Sequence, residues 1–203
     1  MSWKREIENR ILIKISNSLV NFISTTSVTP IHLTFASLFL ALISSLFYYF
    51  SKDCLYFSPI AGALLLLSGF LDALDGAVAR RMKMESKSGA FFDSTFDKIG
   101  ESAVFIGLIT SGLVTPFWGS LSLASSILIS YTRSRAESLG VDLKGVGLME
   151  RAERIIITSL ASFLEPFLQG SINLAIILLA ILSLITLTHR IIYVNRILSR
   201  KLS

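Results

Sequence analysis

Cysteine is nearly absent. Cys54 stands alone, so no disulfide can form within the chain, and cysteine usage says little about compartment. Charge is missing over long stretches: residues 15–51, 54–71, 102–132 and 166–188 contain no Asp, Glu, Lys or Arg. With 52% hydrophobic residues and a mean hydropathy of +0.67, the composition excludes an ordinary soluble domain. The strict alternation of polarity that a water-filled β-barrel needs is also missing. The charged N-terminus is not followed by a short apolar core and a small-residue cleavage site, so no cleavable signal peptide is expected. No internal repeat is evident. The net charge of +5 does not point to nucleic acid, because the basic residues fall in short clusters between apolar segments, as in the cytoplasmic loops of membrane proteins.

The uncharged runs are long enough to cross a bilayer, which takes about 20 mostly apolar residues. The expected fold is an all-α polytopic membrane protein with six transmembrane helices, near 31–50, 58–81, 90–113, 117–137, 150–166 and 172–193. An N-terminal interfacial amphipathic helix is expected before them. There Ile7, Ile11, Ile15 and Leu19 form one stripe, Lys4, Arg5, Arg10 and Lys14 suit anionic headgroups, and Trp3 suits the headgroup level. Residues 1–28 and 29–203 thus form a peripheral segment and a six-helix domain. Thr29-Pro30 and Thr115-Pro116 punctuate the helices, since proline cannot continue the hydrogen-bond ladder. Except for Lys52, every Lys and Arg falls on the side of the N-terminus, which predicts cytoplasmic termini and a site on the cytoplasmic face of the cell membrane.

Against this apolar background, residues 70–101 carry four aspartates. Asp72 and Asp75 are spaced i,i+3, and Asp93 and Asp97 i,i+4, so each pair shares one helix face. Acids in a membrane are costly unless paired or bound to cations, and therefore mark a functional site. Two helices each presenting a pair could cage one or two hard divalent cations. Gly76 and Ala79 leave room beside the acids for a ligand, and Arg80 adds a planar donor fork suited to phosphate. Structural pairing of the acids with Arg80, Arg81 or Lys98 is the alternative. It accounts for one pair more readily than for four acids with interleaved small residues.

The pattern Asp72-x-x-Asp75-Gly76-x-x-Ala79-Arg80, eight residues, Gly89, three residues, Asp93, three residues, Asp97 resembles the signature of the CDP-alcohol phosphotransferases at every position. The resemblance implies transfer of a phospho-alcohol from a CDP-alcohol to a hydroxyl, with release of CMP. It implies Asp72, Asp75, Asp93 and Asp97 as ligands of Mg²⁺ or Mn²⁺, two ions in all, and Asp97 also as the general base. Gly76, Ala79, Arg80, Ser86 and Gly89, with the segment Thr29, Pro30, Ile31 and His32, are implied to hold the CDP-lipid. Ile31 stands where the family often has Asn or Asp.

A second cluster bears on the acceptor. Arg133, Arg135 and Glu137 end the fourth span, Glu150, Arg151, Glu153 and Arg154 begin the fifth, and Arg190 lies at the end of the sixth. Arg135, Glu137, Glu150 and Glu153 read as snorkelling charges and salt bridges. The runs Tyr131-x-Arg133-x-Arg135-Ala136-Glu137 and Glu150-Arg151-x-Glu153-Arg154 are similar to the phosphatidylinositol-phosphate and archaetidylinositol-phosphate synthase branch, with Ala152 at a frequent proline. That resemblance implies Arg133, Arg151 and Arg190 as ligands of an inositol phosphate acceptor. The implied donor is CDP-diacylglycerol or CDP-archaeol. Glycerol 3-phosphate or serine are the alternative acceptors, and a cation transporter is a remote alternative. Family resemblance and the small residues Gly100, Ser102, Gly107, Gly119, Ser120, Ser122 and Ser125 suggest a homodimer.

Overall fold

Proline and hydroxyl residues set the helix boundaries. The protein is described by a computed structural model covering residues 20, 21, 23, 26, 28–143 and 145–200. Among these are six helices: α1 (Pro30–Phe50), α2 (Phe57–Met82), α3 (Lys87–Thr110), α4 (Pro116–Ser138), α5 (Arg151–Leu164) and α6 (Ser171–Arg200). No strand occurs among the described residues. Pro30 and Pro116 each occupy the first turn of their helix, where a missing N–H costs nothing. Ser86 caps α3 by accepting from Gly89 N at 2.9 Å. Lys83, left-handed at φ 53, ends α2, and Met84 N closes the turn onto Ala79 O at 2.9 Å.

Each helix has two main neighbours. α1 packs along α2 and α3, α2 also along α5, α5 along α6, α6 along α4, and α4 along α3. The contacts therefore close into a ring in the order α1-α2-α5-α6-α4-α3.

Polarity is inverted relative to a soluble bundle. Serines fill the interior: Ser44, Ser58, Ser122, Ser126, Ser159 and Ser162 are buried, whereas Phe39 is 64% and Leu174 67% exposed. Ser37 and Ser68 bond each other's carbonyls at 2.9 Å, and Ser44 donates to Ala61 O at 2.8 Å. Gly62 sits against Ser159 and Ser162, Gly100 against Ala41, and Gly107 against Ser45. Small residues thus bring the backbones close, as expected where lipid removes the hydrophobic drive between helices. α1, α2 and residues Ser171–Ser199 of α6 are long and apolar enough to cross a membrane. At 14 residues, α5 is only about 21 Å long at 1.5 Å per residue.

The expected elements fall within a few residues of these helices, with one exception. α6 runs to Arg200, beyond the expected end near 193. Its last turns carry Val194, Ile197 and Leu198, which pack on Ala136, Val141 and Leu143 of α4 and the following loop. Residues 1–19 of the expected interfacial helix lie outside the described residues. Val20, Ile23 and Val28 pack beside Leu33, Leu74 and Val78, and Arg81 Nη2 donates to Asn21 Oδ1 at 3.2 Å.

Candidate active site

Short connections alternate between the two ends of the ring, so the starts of α1, α3 and α5 and the ends of α2, α4 and α6 share one end. All four aspartates gather there. One carboxylate oxygen from each of Asp72, Asp75 and Asp93 lies within 4.8 Å of the others. Two oxygens bound on opposite sides of one ion at about 2.4 Å would stand about 4.8 Å apart, so this oxygen set fits a hard divalent cation. Asp75 is buried and accepts from Thr34 Oγ1 at 2.7 Å.

Asp97 stands outside that trio. Arg151 Nη1 is 2.8 Å from Asp97 Oδ1 and also bonds Asp72 Oδ2. One guanidinium from the start of α5 therefore joins an acid of α2 to an acid of α3. Two of the three structural partners anticipated for the acids are directed elsewhere: Arg81 to Asn21 at 3.2 Å and Lys98 to Glu101 at 2.8 Å.

Two cavities flank the carboxylates. The first is lined by Thr29, Pro30, Ile31, Gly76, Ala79, Arg80, Ser86 and Gly89, together with Thr34, Asp75 and Asp93. This unites every residue expected at the CDP-lipid site except His32. The His32 ring instead turns back on the helix start, where Nδ1 accepts from Thr29 N at 3.2 Å. The Arg80 guanidinium lies close over Gly76, with Nη1 3.4 Å from where a Cβ would stand. The first turn of α3 borders the same cavity, and its free N–H groups favour an anion.

The second cavity is lined by Asp72, Asp93, Asp97, Arg133, Arg151, Arg154 and Arg190, among others. All three arginines expected at the acceptor site line it. Arg133 is half-exposed and donates from Nε to Glu137 Oε1 at 3.0 Å. Arg190 is buried and donates from Nε to Val146 O at 2.8 Å and from Nη1 to Ile129 O at 2.9 Å. The loop it holds has Gly147 at φ +121, where an added Cβ would meet the Thr186 side chain. Thr186 Oγ1 in turn accepts from Leu148 N and Met149 N, at 3.2 and 3.1 Å. The two cavities share Ala90 and Asp93, so the acids stand at their junction.

Sequence reasoning did not single out Thr34 or Glu101. Thr34 carries no local signal beyond its nearness to Pro30. Glu101 continues the Asp93–Asp97 spacing by one more turn, which was a usable clue.

A family model described as CDP-alcohol phosphatidyltransferase matches residues 27–199. Archaetidylinositol phosphate synthase of Methanothermobacter thermautotrophicus is 46% identical over 142 residues, covering 68% of this chain and 71% of that one. The crystal structure of Mycobacterium tuberculosis phosphatidylinositol phosphate synthase with CDP-DAG bound is similar at a TM-score of 0.76 and 26% identity, covering 89% of this chain and 94% of that one. The same enzyme in complex with manganese and citrate gives a TM-score of 0.74 at 26% identity, with 88% of each chain covered. On a family match that takes in all six helices and the whole aspartate-lined junction, the chain belongs to the CDP-alcohol phosphatidyltransferase family.

Proposed function

We propose that the protein moves a phosphatidyl or archaetidyl group from a CDP-lipid to inositol phosphate and releases CMP. One observation carries the reading: three clustered carboxylates lie at the junction of two cavities, one bordered by Arg80 and the start of α3, the other ringed by arginines. A cation path through the bundle would not need two cavities sharing one acid cluster at one end of the ring.

In this reading the chain binds and orients, and little covalent chemistry is asked of it. Arg80, Gly76, Ala79, Ser86, Gly89 and the 29–32 segment hold the cytidine diphosphate of the donor. Arg133, Arg151 and Arg190 hold the acceptor phosphate, where guanidinium forks match phosphate oxygens. Asp72, Asp75, Asp93 and Asp97 would hold Mg²⁺ or Mn²⁺, two ions in all, which when bound offset charge on the diphosphate and its leaving oxygen. The acceptor oxygen forms a bond to the lipid-bearing phosphorus, the bond to the CMP oxygen breaks, and Asp97 takes the hydroxyl proton. Asp97 lines the arginine-ringed cavity, on the acceptor side of the junction, which supports that role.

We further propose six spans, an interfacial segment over 1–28 ahead of the domain 29–203, cytoplasmic termini and site in the cell membrane, and a homodimer. The basic residues at the site end of the ring support the orientation. Gly100 and Gly107 are occupied by α1 of their own chain, so a dimer would form through other faces. The reaction is tested with purified protein, labelled CDP-archaeol or CDP-diacylglycerol and Mg²⁺, by following CMP release with inositol phosphate, glycerol 3-phosphate and serine. CMP release dependent on inositol phosphate is expected. Preference for glycerol 3-phosphate would move the acceptor assignment, and no CMP release with any acceptor would overturn the chemistry.

A further inference from the structure

Below the three acceptor-site arginines lies a fourth, held differently. Arg154 is 4% exposed, yet it lines the arginine-ringed cavity. Its Nε and Nη2 both donate to Glu101 Oε1, at 3.0 and 2.8 Å. Glu101 Oε1 also accepts from Ser126 Oγ at 2.5 Å, and Oε2 from Lys98 Nζ at 2.8 Å. Using the Nε–Nη2 edge turns Nη1 away from Glu101, and among the described residues Nη1 has no hydrogen-bond partner. A buried guanidinium N–H left without an acceptor is costly. Charge points the same way. Lys98 and Arg154 share the one negative charge of Glu101, leaving the cluster net positive. Of the acids around this cavity, Asp72 and Asp97 are already bonded to Arg151, and Glu137 to Arg133.

We infer that Arg154 is a further ligand of the acceptor's phosphate, at the floor of the cavity, and that Glu101 is the residue that positions it. The inference rests on the acceptor reading given above. It assigns Arg154 to the acceptor, because Arg154 lines that cavity and is not among the residues around the donor cavity. Arg151 and Arg154 are one turn apart on the first turns of α5. Arg151 Nη1 is committed to two carboxylates, whereas Arg154 Nη1 is a buried donor with no acceptor among the described residues. Glu101 holds the Nε–Nη2 edge of Arg154, and Ser126 and Lys98 hold Glu101 in turn, so the phosphate meets a preset N–H rather than a mobile one.

The test uses the full chain in detergent with Mg²⁺ and CDP-lipid. It reads KM for inositol phosphate, KM for the CDP-lipid, kcat, and the inhibition constant of inorganic phosphate. Arg154→Gln should raise the acceptor KM and the phosphate inhibition constant about tenfold or more, the loss of a charged hydrogen bond, and leave the donor KM within about twofold. Glu101→Gln should raise the same two constants by less, and Arg154→Lys, which keeps charge but loses the fork, should not restore them. Arg154→Lys also serves if Glu101→Gln fails to fold. Unchanged acceptor constants in Arg154→Gln, or an equal rise in donor KM, would overturn the inference. Binding of inorganic phosphate, measured by calorimetry without donor, separates it from the acceptor reading. A protein that ignores inositol phosphate but loses phosphate binding in Arg154→Gln keeps the subsite and loses that reading. Phosphate binding indifferent to Arg154 removes the subsite whatever the acceptor proves to be.

Discussion

Thr34 Oγ1 donates a 2.7 Å hydrogen bond to Asp75 Oδ2 and so ties the start of α1 to a carboxylate 41 residues away. The same hydroxyl lies 3.1 Å from Pro30 O, but it has a single proton, and the charged, shorter partner is the stronger acceptor. Asp75 is the buried member of the cluster, and its carboxylate is held by this hydroxyl and by the backbone of Gly76. The bond also joins two neighbours in the ring at the point where the donor cavity meets the acids.

Replacing Thr34 with Val keeps shape and removes the donor. A hydrogen bond to a charged group contributes about 1.5–3 kcal/mol, so the half-saturating Mg²⁺ concentration should rise about tenfold or more. Thr34→Ser should stay near the parent. A metal titration of CMP release decides it, and equal titrations for parent and Thr34→Val would detach Thr34 from the site.

Asp75→Asn should abolish transfer while the protein still purifies as a folded species in detergent. Excess chelator should do the same to the parent, and added Mg²⁺ or Mn²⁺ should restore it. Three carboxylates within 4.8 Å repel one another without a cation, so the neutral variant is expected to unfold no earlier than the parent. Full turnover in chelator would remove the metal from the mechanism.

Gly62 tests the ring itself, far from the acids. A Cβ there would lie 2.8 Å from Ser162 Cβ and 3.0 Å from Ser159 O. The carbonyl cannot move without shifting α5, so Gly62→Ala should destabilise by about 1–3 kcal/mol, as overpacking does. Tyr48→Phe, which loses a 2.8 Å bond to Ser162 Oγ, should cost about 1 kcal/mol. Ranked thermal unfolding in detergent checks the order, and substrate KM values should hold in both variants.

How much of this was legible depended on sequence distance. The Asp72–Asp75 and Asp93–Asp97 spacings are local, and a helix turns them into shared faces without help from the rest of the chain. Uncharged runs likewise declare the helices, because hydrocarbon tolerates little else. Arg151 bridging Asp72 and Asp97 was not legible, since it depends on α5 meeting α2 across 79 residues. The extension of α6 depends on the cluster around Ala136, Val141 and Leu143, which only the folded loop assembles. His32 entered the expected donor segment by family resemblance, and its bond from Thr29 N at the start of α1 was not legible in that resemblance.

The three arginines proposed for the acceptor should separate by what else each one holds. Arg133 is half-exposed and, among the described residues, pairs with Glu137 alone, in an i,i+4 pair of the kind that contributes little to stability. Arg133→Ala should therefore raise the KM for inositol phosphate about tenfold or more and leave kcat, donor KM and metal titration near the parent. Arg151 differs, because it also neutralises Asp72 and Asp97. Arg151→Ala should raise the acceptor KM and also change the Mg²⁺ titration, since the two acids lose a competing cation. Arg190 is anchored to Val146 O and Ile129 O, so Arg190→Ala frees the loop as well as the phosphate and should lower thermal stability. Glycerol 3-phosphate, compared at equal concentration, completes the design. An arginine that binds the acceptor phosphate should matter to any phosphorylated acceptor, whereas serine should be indifferent to Arg133. Unchanged acceptor KM in Arg133→Ala and Arg151→Ala would return these side chains to interface charges and leave the aspartate junction as the part of the site that stands.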